Sequence, residues 1–208
     1  RTNLPLRAHV ARKGRSFQSC KRRLVSVISL RRHSSSSKTR WRSSRPRPSP
    51  VTSSAVEASI CTASILSKSI LVTAAHCVDG DASDLVVVFN RNIEDTELVS
   101  RPVTHFKVSP VWEARQNEPL NNGDIVVVRF DGGLPPGFKA TKMLANVSLL
   151  ADGQAVTLSG YGNSDGKAGT GAGKLRWVET TIKKAAYTKS EILVEQSKGK
   201  GACHGDSG

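Results

Sequence analysis

The fold of this chain is decided by the stretch Ile70-Leu71-Val72-Thr73-Ala74-Ala75-His76-Cys77. An apolar run that ends in small residues and then a histidine predicts a buried strand with an imidazole delivered at its end. A single histidine in such a place is more often a packing or capping residue. The stretch therefore points to chemistry only if the rest of the chain supplies partners for His76.

Two other segments supply such partners. Asp124 stands directly before the apolar run Ile125-Val126-Val127-Val128, and Ser207 lies within Gly205-Asp206-Ser207-Gly208. A serine hydroxyl is a poor nucleophile at neutral pH, so it needs a base and donors that hold the developing oxyanion. Alone, the glycine-flanked serine is typical of a surface turn and the aspartate of a turn before a strand. Together, in the chain order His76, Asp124, Ser207, they predict a catalytic triad.

Charge divides the chain into two unequal parts. The 208 residues carry a formal net charge of +14 and 38% hydrophobic residues, yet residues 1–50 hold 15 of the 31 Lys and Arg and no Asp or Glu. The remaining 16 basic and 17 acidic residues leave 51–208 nearly neutral. We therefore predict two units: a basic, Ser- and Arg-rich segment over 1–50 and a folded domain over 51–208.

Residues 1–50 cannot bury enough apolar surface to offset their chain entropy, so we expect disorder there. Three interpretations remain open for this segment: a tail that binds nucleic acid or an anionic surface, an organelle transit peptide, or a segment foreign to the folded domain, such as a mis-assigned start. The third is favoured. The apolar run 24–30 is not interpreted as a signal peptide, because it continues into Arg31-Arg32 without a small-residue cleavage site.

The folded part resembles the trypsin/chymotrypsin-like serine proteases over roughly residues 55–208. Four motifs carry the resemblance: Thr73-Ala74-Ala75-His76-Cys77, Asp124-Ile125-Val126-Val127-Val128, Ser159-Gly160-Tyr161-Gly162, and Cys203-His204-Gly205-Asp206-Ser207-Gly208. The resemblance implies that His76 is the general base, Asp124 its orienting carboxylate and Ser207 the nucleophile. It also implies that the N–H groups of Gly205 and Ser207 form the oxyanion hole, and that no metal or cofactor is needed.

The expected fold is all-β. Short apolar runs separated by turns, with no long helical period, indicate a barrel or sandwich, and the segment from Val111 to Asn122 is predicted to be a loop. The resemblance implies a chymotrypsin-like double antiparallel β-barrel, the first barrel at about 55–131 and the second at about 137–208. Strands that follow the serine close the second barrel in that family, so we expect this barrel to be incomplete and the 208-residue chain to be inactive or poorly folded.

The four cysteines bear on the cellular compartment. In the resembled family Cys61 and Cys77 form a disulfide that staples the histidine loop, which would place the protein in an oxidising, secreted or extracellular environment. Cys203 would pair with a cysteine further along, and Cys20 has no evident partner. The alternative is that all four are free thiols of a cytosolic protein.

Two positions near the serine bear on specificity and activation. Trypsin-type members carry an aspartate six residues before the nucleophile, where this chain has Gly201, so we predict a substrate pocket without a strong demand for Lys or Arg. Members of the family are activated when a freed Ile-Val-Gly-Gly terminus pairs with the aspartate before the serine, here Asp206. No such motif precedes residue 55, which predicts that Asp206 lacks its partner.

The predicted function is that of a serine endopeptidase acting on proteins or peptides through an acyl-enzyme, with a protein protease inhibitor as a further candidate partner. We predict no membrane partner, since no run approaches the length of a membrane span. A rival is an inactive homologue or fragment that serves as a binding module. A second rival is a nucleic-acid-binding protein that acts through residues 1–50, which the two aromatics Phe17 and Trp41 support weakly because they offer little surface for base stacking.

Overall fold

The computed structural model of the protein describes residues 9–10, 26–30, 59–197 and 199–208. Its strands fall into a closed barrel and a four-stranded sheet. The strands are β1 (His9–Val10), β2 (Ser26–Leu30), β3 (Ser59–Ile65), β4 (Ile70–Thr73), β5 (Leu85–Val88), β6 (Ser100–Val108), β7 (Val126–Phe130), β8 (Ala155–Gly160), β9 (Arg176–Lys184) and β10 (Leu193–Val194).

The barrel is antiparallel throughout and has the strand order β2-β3-β4-β7-β6-β5. Strand β7 shows why these residues form it: Val126, Val128 and Phe130 are buried while Val127 and Arg129 are exposed. This period of two turns the apolar residues into the barrel and leaves the alternate positions to solvent. The pairing of β4 with β7 matters most for function, because it sets Thr73 opposite Val126.

Aromatic rings fill one side of the barrel core. The ring of Phe89 lies 5.4 Å from that of Phe130 and 5.1 Å from that of Phe138, the second pair in an edge-on arrangement. Tilted and edge-on contacts are the favoured geometries of aromatic pairs. Phe138 lies beyond the last barrel strand, so this contact joins the connection between the two sheets to the core of the barrel.

The second sheet has the order β1-β8-β9-β10 and does not close. Its longest pairing runs from Ala155 opposite Thr181 to Gly160 opposite Arg176. Tyr161, immediately after β8, is fully buried and forms a small core of its own with Ile60, Ile93 and Leu175 packed against it. The prediction of an all-β, chymotrypsin-like fold with an incomplete second barrel is confirmed.

Two local predictions are corrected. The segment predicted to be a loop from Val111 to Asn122 begins with a short helix, α1 (Pro110–Arg115). The helix starts there because the Ser109 hydroxyl accepts a hydrogen bond from the N–H of Val111 and proline occupies the first turn, where its missing N–H costs nothing.

The expectation of disorder over residues 1–50 does not hold at Ser26–Leu30, which forms β2 and pairs with both β3 and β5. A strand at this position supplies partners for backbone groups on the facing edges of both neighbours. The pairs His9–Val10 with Thr157 and Val156 extend the second sheet in the same way. The remainder of residues 1–50, including Cys20 and the aromatic pair Phe17 and Trp41, lies outside the described residues.

None of the helices within the described ranges has the length and apolar character that a membrane crossing requires.

Strand β7 offers a matched pair of substitutions that tests the assignment of the barrel core. Phe130→Ala should lower the free energy of unfolding by roughly 3–5 kcal/mol, because it removes a buried ring and leaves a cavity. Val127→Ala, on the exposed face of the same strand, should change it by no more than about 0.5 kcal/mol. Urea unfolding of both variants measures the difference, and equal losses would contradict the inward direction of Phe130.

Candidate active site

The barrel brings His76 and Asp124 together. Strand β4 ends at Thr73 and is followed by a 3-10 turn at Ala75–Cys77 that carries the histidine. Asp124 comes shortly before β7, which pairs with β4, so the two ends lie side by side. The imidazole Nδ1 lies 2.7 Å from Asp124 Oδ2, and the backbone N–H of His76 donates to Oδ1 at 3.0 Å.

This two-point contact selects the tautomer of the neutral ring. An ionised carboxylate only accepts hydrogen bonds, so the Nδ1 of neutral His76 must carry the proton, and Nε2 then presents a lone pair. The His76 side chain is 46% exposed and that of Asp124 is 18% exposed. The imidazole ring of His76 is thus accessible to an incoming group.

Trp112 is a neighbour of His76 that the sequence did not reveal. Its ring centroid lies 6.5 Å from that of His76, at an angle of 50°. The tryptophan reaches this place from α1, a segment that the sequence predicts to be a loop. The capping pair Ser109-Pro110 was the signal that indicates a helix start there.

A disulfide joins Cys61 on β3 to Cys77, the residue after His76, with an S–S distance of 2.04 Å. The predicted bridge is confirmed. A ring nitrogen of His76 lies within 4.8 Å of both sulfur atoms. These three side chains are not a metal site, because zinc and similar ions bind thiolates, whereas both sulfurs are bonded to each other.

The chain segment around Ser207 reaches the same disulfide. The Ser207 carbonyl oxygen accepts a hydrogen bond from Thr62 N at 2.8 Å and lies 3.9 Å from Cys77 Sγ. The backbone of the candidate nucleophile and the ring of the candidate base therefore rest against one bridge. In the described part of the chain, the Ser207 hydroxyl makes no hydrogen bond to His76.

Two peptide groups before Ser207 are fixed through their carbonyls. The His204 carbonyl accepts from Asn163 N at 2.9 Å. Because a trans peptide is planar and its C=O and N–H point in opposite directions, this bond directs the N–H of Gly205 away from Asn163. The Gly205 carbonyl accepts from the Thr62 hydroxyl at 3.0 Å. Within the described ranges, the N–H groups of Gly205 and Ser207 donate to no protein group.

Asp206 has backbone partners, although the sequence predicts that it lacks the ammonium partner of the family. Its carboxylate accepts hydrogen bonds from Gly162 N at 2.7 Å and from Cys203 N at 2.8 Å. Backbone N–H groups also stabilise a carboxylate. Nothing in the sequence indicates that Gly162, just after β8, presents such a group to Asp206.

The same contact explains two glycines of the Ser159-Gly160-Tyr161-Gly162 motif. A Cβ at Gly160 would lie 2.2 Å from Asp206 Oδ1, and one at Gly162 would lie 2.5 Å from its carboxylate carbon. Neither position tolerates a side chain while Asp206 keeps its place. The glycines thus make room for the carboxylate.

Tyr161, between these glycines, connects the two halves of the chain. Its hydroxyl donates to the carbonyl of Asn90 at 2.8 Å, and its backbone N–H donates to the Thr62 hydroxyl at 3.1 Å. Burial raises the pKa of the Tyr161 phenol far above its usual value. The phenol is therefore a neutral hydrogen-bond donor at neutral pH.

Gly201, the residue predicted to line a substrate pocket, lies in the wall of a cavity of about 390 Å³ between the second sheet and the segment around Lys200. Charged side chains from Arg176, Lys200 and Asp206 also line this cavity. The thiol of Cys203 nearby is free.

The barrel and the site geometry define a class of protein: an all-β protein with a histidine–aspartate pair and a glycine-flanked serine whose carbonyl lies against the disulfide next to the histidine. The trypsin family model matches residues 39–208 of the chain. The chain belongs to the trypsin family.

Sequence relatives agree with this assignment. The chain is 31% identical to brachyurin of Leptuca pugilator over 162 residues, which are 71% of this chain and 68% of that protein. It is 29% identical to trypsin beta of Drosophila erecta over 164 residues, 71% of this chain and 62% of the relative. The chain thus spans about two thirds of the length of these two relatives.

A solved structure supports the fold. The scabies mite inactivated protease paralogue S-D1 superimposes with a TM-score of 0.64 at 16% identity, covering 88% of this chain and 74% of that one. At such low identity the likeness concerns the fold alone.

The crowding around Asp206 yields a test of the loop packing. Gly162→Ala should lower the free energy of unfolding by roughly 1–3 kcal/mol, because the new methyl overlaps the carboxylate. In an Asp206→Ala background the same change should cost less, since the carboxylate is gone and only the backbone N of residue 206, 2.8 Å from the new methyl, still overlaps it. The two losses should therefore not add in a double-mutant cycle. Thermal unfolding of the four proteins measures this coupling, and additive losses would show that the contact is absent.

Proposed function

We propose that this chain carries the catalytic residues of a serine endopeptidase, with His76 as general base, Asp124 as its orienting carboxylate and Ser207 as nucleophile. The observation that carries the proposal is the double contact of Asp124 with the Nδ1 and the backbone N–H of His76, at 2.7 and 3.0 Å. A carboxylate that holds both the ring and the main chain of one histidine selects a single tautomer and a single orientation. These are the requirements for a base that acts on a serine.

The proposed reaction begins when the Ser207 hydroxyl turns to Nε2 of His76. The imidazole accepts its proton while the serine oxygen attacks the scissile carbonyl carbon, and Asp124 stabilises the imidazolium that forms. The proton then passes to the leaving amine as the peptide C–N bond breaks. A water molecule, deprotonated by the same imidazole, attacks the acyl-enzyme carbonyl. The ester C–O bond to Ser207 then breaks, the imidazolium returns the proton to the serine oxygen, and the new carboxyl terminus is released. Hydrogen bonds between a nucleophile and its base are often long when no substrate is bound. The lack of a Ser207–His76 hydrogen bond among the described residues is therefore compatible with these reaction steps.

The N–H groups of Gly205 and Ser207 are proposed as the oxyanion hole. What supports this is that the carbonyl of His204 accepts a hydrogen bond from Asn163, which directs the Gly205 N–H away from Asn163, and that this N–H has no protein acceptor within the described ranges. Donors fixed before the reaction stabilise the developing negative charge without reorganising, and one such donor accounts for about 10²–10³ in turnover.

The cavity beside Gly201 is proposed to take the side chain that precedes the scissile bond. Among its charged lining groups, Arg176 and Lys200 are cationic and Asp206 alone is anionic, and the Asp206 carboxylate already accepts two backbone hydrogen bonds. A Lys or Arg side chain of a substrate would therefore meet no free counter-charge. An apolar side chain of the substrate avoids that desolvation cost.

The wider setting is proposed from the disulfide and the family. The Cys61–Cys77 bridge is typical of an oxidising compartment, so we place the protein outside the cell. Residues 51–208 are proposed as the main part of the protease domain, to which Ser26–Leu30 adds the barrel strand β2; the family match begins at residue 39. Protein protease inhibitors that present a substrate-like loop would bind at the same cleft.

A second candidate is a binding module without catalysis. The observation that favours it is the missing hydrogen bond between Ser207 and His76 among the described residues. The two candidates differ in one property, which is whether Ser207 reacts with an electrophile.

Labelling by a fluorophosphonate separates them. The proposed enzyme should be labelled at Ser207 in a time-dependent manner, and His76→Ala should slow labelling by several orders of magnitude, because the base is lost. Ser207→Ala is the control that should remove labelling altogether. Mass spectrometry of the labelled peptide locates the modification. A folded wild-type protein that resists the reagent would favour the binding module.

Peptide substrates that differ only in the residue before the cleaved bond test the pocket. We expect kcat/KM for a leucine substrate to equal or exceed that for an arginine substrate, because the cavity offers no unpaired carboxylate. A preference for arginine of 10-fold or more would refute the proposed role of the cavity while leaving the triad untouched.

A further inference from the structure

Thr62 occupies an unusual position for a hydroxyl group. Among the described residues, the buried polar side chains are those of Thr62 and Thr73, each only 2% exposed. Buried hydroxyls cost free energy unless they are hydrogen-bonded. The hydroxyl of Thr62 uses its capacity in two directions, since it donates to the Gly205 carbonyl at 3.0 Å and accepts from the Tyr161 N–H at 3.1 Å.

The backbone of Thr62 adds a third link to the same region, because its N–H donates to the Ser207 carbonyl at 2.8 Å. One residue of β3 thus contacts the chain on both sides of Asp206 and also the end of β8. These contacts connect positions 143 residues apart in sequence for the Thr62–Gly205 bond and 99 residues apart for the Tyr161–Thr62 bond.

We propose that Thr62 is a positioning residue for the nucleophile loop and that its hydroxyl sets the orientation of the Gly205–Asp206 peptide. This inference rests on the proposed function and deepens it. The Gly205 carbonyl of that peptide is held by Thr62, and its N–H, which belongs to Asp206, donates to the Cys203 carbonyl at 3.0 Å. With both ends held, the peptide plane cannot rotate.

The orientation of this peptide also affects the two candidate oxyanion donors. The fixed peptide lies between the N–H of Gly205 on one side and the N–H of Ser207 on the other. Gly205 has a φ of +95°, a value that glycine adopts without cost and that permits large backbone rotations. A loop with such freedom needs external contacts to keep one conformation, and the Thr62 hydroxyl is the one that holds the Gly205 carbonyl.

The side chain is suited to this role. A threonine hydroxyl is restricted in χ1 by branching at Cβ, so it loses little entropy when it is fixed. A valine has nearly the same shape and lacks the hydroxyl, whereas a serine keeps the hydroxyl without the methyl group. These two residues separate the hydrogen bonds from the packing.

The experiment compares Thr62→Val and Thr62→Ser with Thr73→Val in the full chain. Thr73 is the matched control, because it is equally buried and its hydroxyl donates to the Thr62 carbonyl at 2.7 Å within the barrel rather than to the loop. Thr62→Val should lower kcat on a peptide substrate by about 10- to 100-fold with KM changed less than about 3-fold, the size expected of misplaced reacting groups. Thr62→Ser should regain most of the loss, and Thr73→Val should lose no more than about 3-fold.

Equal losses of kcat in the two valine variants, or no recovery in the serine variant, would overturn the proposal. A second measurement remains decisive if the wild-type protein proves to have no activity. Amide hydrogen exchange at Asp206 and Asn163 should become at least about 10-fold faster in Thr62→Val and stay unchanged in Thr73→Val. Unchanged exchange in Thr62→Val would refute the positioning role. If the wild-type protein is inactive but exchange is faster in Thr62→Val, only the proposed function is refuted.

Discussion

The geometry of the candidate site depends on one hydrogen bond, from the N–H of Thr62 to the carbonyl of Ser207 at 2.8 Å. Thr62 follows Cys61, which is bonded to Cys77, and Cys77 follows His76. The serine and the histidine are therefore attached to adjacent points of a single disulfide-linked segment. A displacement of β3 would move Ser207 and His76 together. The distance between these two residues is therefore less sensitive to such a displacement than the location of either residue in the molecule.

A second constraint acts on the other side of the loop. The carboxylate of Asp206 is inserted where Gly160 and Gly162 leave space, and it accepts two backbone N–H bonds. Hydrogen bonds to a charged group contribute about 1.5–3 kcal/mol each, more than neutral ones. The anchoring of the loop thus comes from both halves of the chain: β3 holds the backbone at Gly205 and Ser207, and the end of β8 holds the side chain between them.

Local patterns in the sequence predicted a large part of this arrangement. The sequence alone shows the alternation of inward and outward positions in 126–130 and the chain order of His76, Asp124 and Ser207. Both are local patterns, because strand period and motif spacing depend on neighbouring residues. The contacts that position the serine are not visible in this way. The residues next to Thr62 do not indicate a hydrogen bond to Gly205, 143 positions away. The basic, Ser-rich composition of 1–50 predicts disorder rather than the strand at Ser26–Leu30.

The solvent exposure of His76 and Asp124 affects how the proposed base works. His76 is held by a carboxylate and lies against the disulfide, yet its side chain is 46% exposed, and Asp124 is 18% exposed. In water the attraction between an imidazolium and a carboxylate is weak, and it grows several-fold when solvent is removed. A substrate lying across the ring would exclude that water from His76. The attraction between Asp124 and the imidazolium that forms during the reaction would then be strongest when a peptide is bound.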